Sequence, residues 1–125
     1  MPDHEATHLL PPDAASVVLA RRAVEALPLG PARTGEVKLI VSELVTNSIE
    51  HGDLGAHDRI EVHALVDRRG VLHMEVRDPG PGPAPDARRG MGLRILERMA
   101  DRWGIDRSEG VARVWFELDA GEGGR

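Results

Sequence analysis

The chain has no cysteine and no tyrosine, and its aromatic residues are Trp103, Trp115 and Phe116. The lack of cysteine excludes disulfides, thiol catalysis and Cys-ligated zinc; it fits a reducing cytoplasm, the expected location, and is equally compatible with other compartments. With so few rings, the core has to be built from Leu, Ile, Val and Ala. Met1-Pro2-Asp3-His4-Glu5 lacks the basic and apolar regions of a signal peptide. No apolar run approaches membrane-spanning length, so no membrane association is expected. Positive charge is also short: a formal net charge of -5 argues against direct nucleic-acid binding, because a phosphate backbone would be repelled by the average surface. The histidines His4, His8, His51, His57, His63 and His73 form no His-Glu-x-x-His or comparable set, so no zinc site is expected.

At 125 residues the chain has the length of one domain, with no internal repeat. A short extended segment, Thr7 to Leu10, stops at Pro11-Pro12, and Asp13 is placed to cap a helix running to about Leu27. Residues 28–35 read as a connector. The next helix carries Val37, Ile40, Val41, Leu44, Val45 and Ile49 at spacings of three and four, one apolar stripe, and stops at Gly52. Residues 60–66 alternate as a half-buried strand does, and Asp67-Arg68-Arg69-Gly70 reads as a turn into a second strand over 71–77. A third helix is expected from about Gly92 to Trp103, with Leu93, Leu96, Met99, Ala100 and Trp103 inward and Arg94, Arg98 and Arg102 outward. A final hairpin pairs residues 104–107 with 111–118, and 119–125 read as a mobile tail.

This order implies an α+β two-layer sandwich, with a mixed, mainly antiparallel sheet covered on one face by about three helices. The hairpins break the strand-helix alternation that a doubly wound fold needs. No complete Gly-x-Gly-x-x-Gly exists, since Pro85 and Ile95 stand at the sixth positions. The stretch Gly30 to Gly35 nears a phosphate loop but continues into Glu36 and Val37, where Lys and a hydroxyl residue would be needed, so it reads as a helix start.

Three segments carry chemistry. Glu43 and Asn47 stand four residues apart on the second helix, a spacing that puts a carboxylate and a carboxamide on one face. Thr46-Asn47-Ser48 groups three weak helix formers in an otherwise apolar helix, so something besides helix stability placed them there. An Asn carbonyl oxygen is a hard ligand suited to magnesium on a triphosphate, and a carboxylate one turn earlier can take a proton from an attacking hydroxyl. Asp78-Pro79-Gly80-Pro81-Gly82 follows a strand and cannot continue it. Gly90-Met91-Gly92-Leu93 opens the third helix, whose amino terminus suits phosphate. Taken singly, each has a plain structural reading: a solvated helix face, an ordinary Asp-Pro-Gly turn, a tightly packed loop. Arg88 and Arg89 read as solvated or as further phosphate contacts, and His51, closing the second helix, has a plain explanation in the helix dipole.

Together, Glu-x-x-x-Asn, Asp-x-Gly-x-Gly and Gly-x-Gly-Leu in this order resemble the N, G1 and G2 boxes of the GHKL ATPases, the superfamily of gyrase and histidine kinases. The likeness runs from about Leu9 to Leu118 and is greatest to the small stand-alone anti-sigma-factor serine/threonine kinases of Gram-positive bacteria. The resemblance implies the histidine-kinase-like (Bergerat) sandwich as a single ATP-binding domain over 1–125, with ATP and Mg2+ as cofactors. It further implies Glu43 as the catalytic base and Asn47 as the Mg2+ ligand, with Asp78 on the adenine amino group. Gly80, Gly82, Gly90, Met91, Gly92 and Leu93 would line the nucleotide. The partners it implies are an anti-sigma-factor antagonist, a sigma factor or both, and it allows a homodimer. Two departures stand out. Only Pro83 to Arg89 separate the glycine loops, which implies a very short lid over the triphosphate, and Val111-Ala112-Arg113-Val114 offers no hydroxyl where the family often has a Thr. Two functions of different class follow: a kinase that phosphorylates Ser or Thr of a small antagonist protein, or a module that sequesters a regulator with nucleotide as a switch or absent. No phospho-accepting helical hairpin precedes the boxes, which disfavours a sensor histidine kinase.

Overall fold

A computed structural model of the chain describes residues 3–81 and 91–121, with only the backbone described at Met91 and Gly92. Its elements are β1 (His4–Leu10), α1 (Ala15–Glu25), α2 (Pro31–His51), β2 (Ile60–Val66), β3 (Val71–Asp78), α3 (Met91–Met99), β4 (Arg102–Ser108) and β5 (Val111–Asp119). The strands form one sheet in the order β1-β2-β3-β5-β4, and all of its pairings are antiparallel. Alternation sets the layers: Ile60, Val62, Ala64 and Val66 of β2, Leu72, Met74 and Val76 of β3, and Ala112, Val114, Phe116 and Leu118 of β5 are buried beneath the helices. Val37, Ile40, Val41, Leu44 and Val45 of α2, with Ala20 and Val24 of α1 and Leu96 of α3, close the core from the other side. Phe116, Ile40, Leu72 and Leu96 are fully buried, and each such side chain contributes about 1.5–3 kcal/mol.

Several boundaries differ from the sequence expectation. β1 is longer than Thr7 to Leu10, because the whole of His4–Leu10 pairs with β2. Asp13 caps the start of α1 as expected: its Oδ1 accepts the Ala15 N–H at 3.0 Å and its carbonyl accepts the Ser16 N–H, with Ala14 already in helical φ and ψ. The connector is shorter than 28–35, because Gly30 is extended and Pro31 starts α2 at the first helical position, where its fixed φ is already helical and its missing N–H costs nothing. α3 ends at Met99 instead of reaching Trp103. Ala100 N–H still bonds the Leu96 carbonyl, but Asp101 N–H turns to the Glu117 carbonyl, and Arg102 and Trp103 then begin β4 opposite Glu117 and Phe116. The Arg row therefore breaks: Arg94 and Arg98 are exposed on the helix, while Arg102 lies on the sheet beside Glu117. Glu109 and Gly110, both at positive φ (55° and 79°), make the two-residue turn between β4 and β5. The tail also starts later than expected. Asp119 belongs to β5, and Ala120 is buried, its N–H donating to the Gly70 carbonyl and its own carbonyl accepting the Gly30 N–H.

Candidate functional site

α2 is built to carry polar groups along the rim of an apolar helix. Its buried stripe is Val37, Ile40, Val41, Leu44, Val45 and Ser48. At 100° per residue, Glu43 and Asn47 fall together on one edge of that stripe, and both are half-buried. Among the described residues, neither side chain makes a hydrogen bond or ion pair with another.

Asp78, the last residue of β3, faces the same helix layer and is only 8% exposed. A buried charge needs partners, and two are present. Ser48 Oγ donates to Oδ2 at 2.5 Å, and Gly80 N–H donates to Oδ1 at 2.7 Å. The first bond crosses from helix to sheet, and the second folds the chain back over the carboxylate. The next contact is between backbones. A Cβ on Gly80 would lie 2.2 Å from the Gly52 carbonyl oxygen, and one on Gly52 would lie 2.4 Å from the Ser48 carbonyl. Only glycine lets the loop after β3 pass this close to the end of α2. From the sheet side, Arg107 Nη1 donates to the Gly80 carbonyl. Arg107, Ala112 and Asp78 form one row across β4, β5 and β3, so the arginine reaches the loop along the sheet's end.

The geometry thus brings the Glu43 and Asn47 helix, Asp78 and Gly80 into one junction. The backbone of Met91 and Gly92 opens α3, which packs against α2. Leu93 is 3% exposed and packs in the core. Gly82, Gly90, the segment Pro83 to Arg89 with Arg88 and Arg89, and the tail 122–125 lie outside the described residues. His51 is exposed at the end of α2, with Glu50 3.8 Å away. Ser48, Gly52 and Arg107 are the participants that sequence reasoning misses. The cluster Thr46-Asn47-Ser48 was the available signal for Ser48.

The opposite face of the sheet has a different character. A depression of about 210 Å3 there is lined by residues including His63, His73, Arg113, Trp115 and Glu117. Among its lining residues, Arg113 pairs with Glu75 and with Asp106 outside the depression, His73 with Glu117 and with Asp67, and His63 with Glu5. With its carboxylates and Arg113 already paired, the depression is a poorer ligand site than the junction around the buried Asp78 carboxylate. No group of His, Asp and Glu among the described residues could by itself hold a metal ion, and no described helix is long and apolar enough to cross a membrane.

Comparison with known proteins adds an independent line. Residues 10–118 match the family profile described as Histidine kinase-like ATPase domain. The sequence is 37% identical to an anti-sigma F factor of Halalkalibacterium halodurans and 36% identical to one of Geobacillus thermodenitrificans, each alignment covering 53% of this chain and 55% of the relative. The chain thus spans about half the length of the curated relatives it matches. Among solved structures, the fold is similar to the RsbU and RsbW domains of a Mycobacterium tuberculosis protein, with TM-score 0.72, 17% identity, and coverage of 94% of this chain and 34% of the other. It is also similar to the blue-light activated histidine kinase EL346 of Erythrobacter litoralis, with TM-score 0.64, 18% identity, and coverage of 85% and 41%.

Proposed function

Because the chain belongs to the histidine kinase-like ATPase domain family, we propose that it binds Mg-ATP at the junction of α2 and β3 and acts as an anti-sigma-type serine/threonine kinase. In this reading it transfers phosphate to a small antagonist protein and so controls a sigma factor. The observation that carries the reading is the buried Asp78 carboxylate, fixed by Ser48 and Gly80, beside a helix whose Glu43 and Asn47 side chains make no hydrogen bond or ion pair among the described residues.

The residues fit the nucleotide chemically. Asp78 offers only acceptors, which suits the amino hydrogens of adenine. Gly80, lacking a side chain, lets the loop after β3 close on the end of α2 and place its N–H on the carboxylate. Asn47 would offer a neutral oxygen to a magnesium ion held with the nucleotide. The amino terminus of α3 carries the positive end of a helix dipole, which suits phosphate. When bound, Mg-ATP supplies the transferable phosphoryl group. Glu43 would take the proton from the acceptor Ser or Thr hydroxyl as that hydroxyl oxygen replaces ADP on the transferred phosphorus. The sigma-factor side of the proposal is supported by the similarity to anti-sigma F factors over about half their length. A cytoplasmic location and a capacity to homodimerise accompany the reading.

The test has two arms. Mg-ATP is titrated calorimetrically, and transfer from γ-labelled ATP is then followed to small proteins recovered with the chain as bait. ATP binding with labelled Ser or Thr, lost in Glu43→Ala, supports the kinase. Binding with no transfer to any recovered partner replaces it with a sequestering module switched by nucleotide.

A further inference from the structure

We propose that Ser48 is a positioning residue that sets the preference of the Asp78 pocket for a purine bearing an exocyclic amino group. The inference deepens the nucleotide reading above and rests on it.

Serine inside a helix usually satisfies its hydroxyl on its own backbone. Ser42, two turns earlier on α2, does this, donating to the Lys38 carbonyl at 2.7 Å. Ser48 does not. Its hydroxyl leaves the helix and donates to Asp78 Oδ2 at 2.5 Å, across the boundary between the layers. The buried polar side chains among the described residues are Ser16, Ser48 and Asp78. Ser16 is spent on the Pro11 carbonyl, and the other two are spent on each other. The residue facing Asp78 across the strand pair is Ala112, which has nothing to donate. Among the described residues, Ser48 is therefore the side chain that fixes this carboxylate, and Gly80 N–H is the backbone group that does so.

The consequence concerns rotation. An Asp carboxylate turns easily about χ2, a broad two-fold torsion. With Oδ1 held from the loop and Oδ2 held from the helix, the plane is fixed, and about two of its four lone-pair sites remain to accept N–H donors. A purine with an amino group finds aligned acceptors. One with a carbonyl oxygen at that position meets like charge, and one with hydrogen gains nothing. Removing the Ser48 hydroxyl frees the carboxylate to turn, so the amino group loses its aligned partner while the other contacts of the nucleotide persist.

The experiment compares Mg-ATP with Mg-purine riboside triphosphate, which lacks only the amino group, by calorimetry on the full chain. The proteins are wild type, S48A, D78N and S48A/A112S. Alanine is a better helix former than serine, so S48A is expected to fold, as circular dichroism will report. Wild type should prefer ATP. In S48A, ATP should weaken roughly tenfold and the analogue by less than about twofold, which contracts the ratio. Opposed residues in an antiparallel pair have Cβ atoms ~5 Å apart, so a hydroxyl at 112 can reach Asp78, and recovery of the ratio in S48A/A112S supports the proposal. If S48A weakens both ligands equally, or neither, while D78N still abolishes the preference for ATP, Ser48 is structural and the proposal fails, leaving the nucleotide reading intact. No binding of ATP by wild type overturns both.

Discussion

Gly80 lies against the carbonyl of Gly52 so closely that a Cβ built on it would stand 2.2 Å from that oxygen. Two residues far apart in sequence thereby weld the end of α2 to the loop after β3, backbone on backbone. The obstacle is main chain, so no side-chain rotation can relieve a clash there. Gly80→Ala should cost about 1–3 kcal/mol, a fall in Tm of roughly 5–15 °C, and should pull Asp78 Oδ1 away from its backbone donor. Thermal unfolding and ATP titration of the same variant measure both effects. A Tm equal to wild type would mean that the junction is looser than this contact requires.

How much of this could be read beforehand follows the range of the forces involved. The alternation in residues 60–78 locates β2 and β3 to within a residue, because burial on one face imposes a period of two on the sequence itself. The α2 stripe is legible for the same reason. The same logic overruns α3. Leu93, Leu96, Met99, Ala100 and Trp103 keep a helical spacing past Met99, yet the chain leaves the helix because Asp101 N–H bonds Glu117, a strand partner that local pattern cannot reveal. At the candidate site, Glu43, Asn47 and Asp78 stand out by residue type. Ser48, Gly52 and Arg107 do not, since each acts on a group that only the folded chain brings near.

On the proposed reading, Glu43 and Asn47 have separable duties. Glu43→Gln keeps the shape and removes the proton acceptor, so phosphoryl transfer should fall by about 10²–10⁴ while ATP affinity changes by less than about twofold. Asn47→Ala removes an oxygen ligand for magnesium, so its ATP affinity should become nearly indifferent to Mg2+. Calorimetry with and without Mg2+, alongside single-turnover transfer, distinguishes the two. Equal losses of binding in both variants would assign both residues to the ligand and neither to proton transfer.

His73 stands between two carboxylates, with Nε2 2.9 Å from Asp67 Oδ2 and Nδ1 2.9 Å from Glu117 Oε2. Only the imidazolium donates from both nitrogens. The bond to Asp67 raises the His73 pKa above its ordinary value against the opposing effect of burial, and Glu117 adds to the rise. The bond from His73, helped by the Val71 and Arg69 backbone N–H groups, holds Asp67 down at about 2. A raised folded pKa means that the histidine's contribution is fully present below the unfolded value, about 6.5, and is lost as pH rises through the folded value. A depressed carboxylate works the other way: its contribution is present above about 3.9 and is lost as pH falls through the folded value. Urea unfolding between pH 5 and 9 should therefore show stability declining on the alkaline side in wild type, with a flatter profile in His73→Gln. Parallel profiles for the two proteins would show that His73 does not carry the pH dependence.

Gly35 provides the opposite case to Gly80. It lies in the exposed first third of α2, and a Cβ added there meets nothing within 4 Å. Its φ is not in the left-handed region, so the native backbone already suits an L-residue. Glycine at an interior helical position is less favourable than alanine by about 0.8–1.0 kcal/mol, in large part because the unfolded chain has more freedom to lose. Gly35→Ala should therefore stabilise the protein by about that amount and raise Tm by a few degrees. ATP affinity should stay within about twofold of wild type, since Glu43 is two turns further along the helix. Chemical denaturation read at the midpoint, with an unchanged m-value, measures the gain directly. Destabilisation would mean that this turn of α2 makes contacts, in solution, that a methyl group obstructs. The pair of substitutions thus separates glycines that the fold requires from one that it merely tolerates: the same added carbon should weaken the domain at 80 and strengthen it at 35.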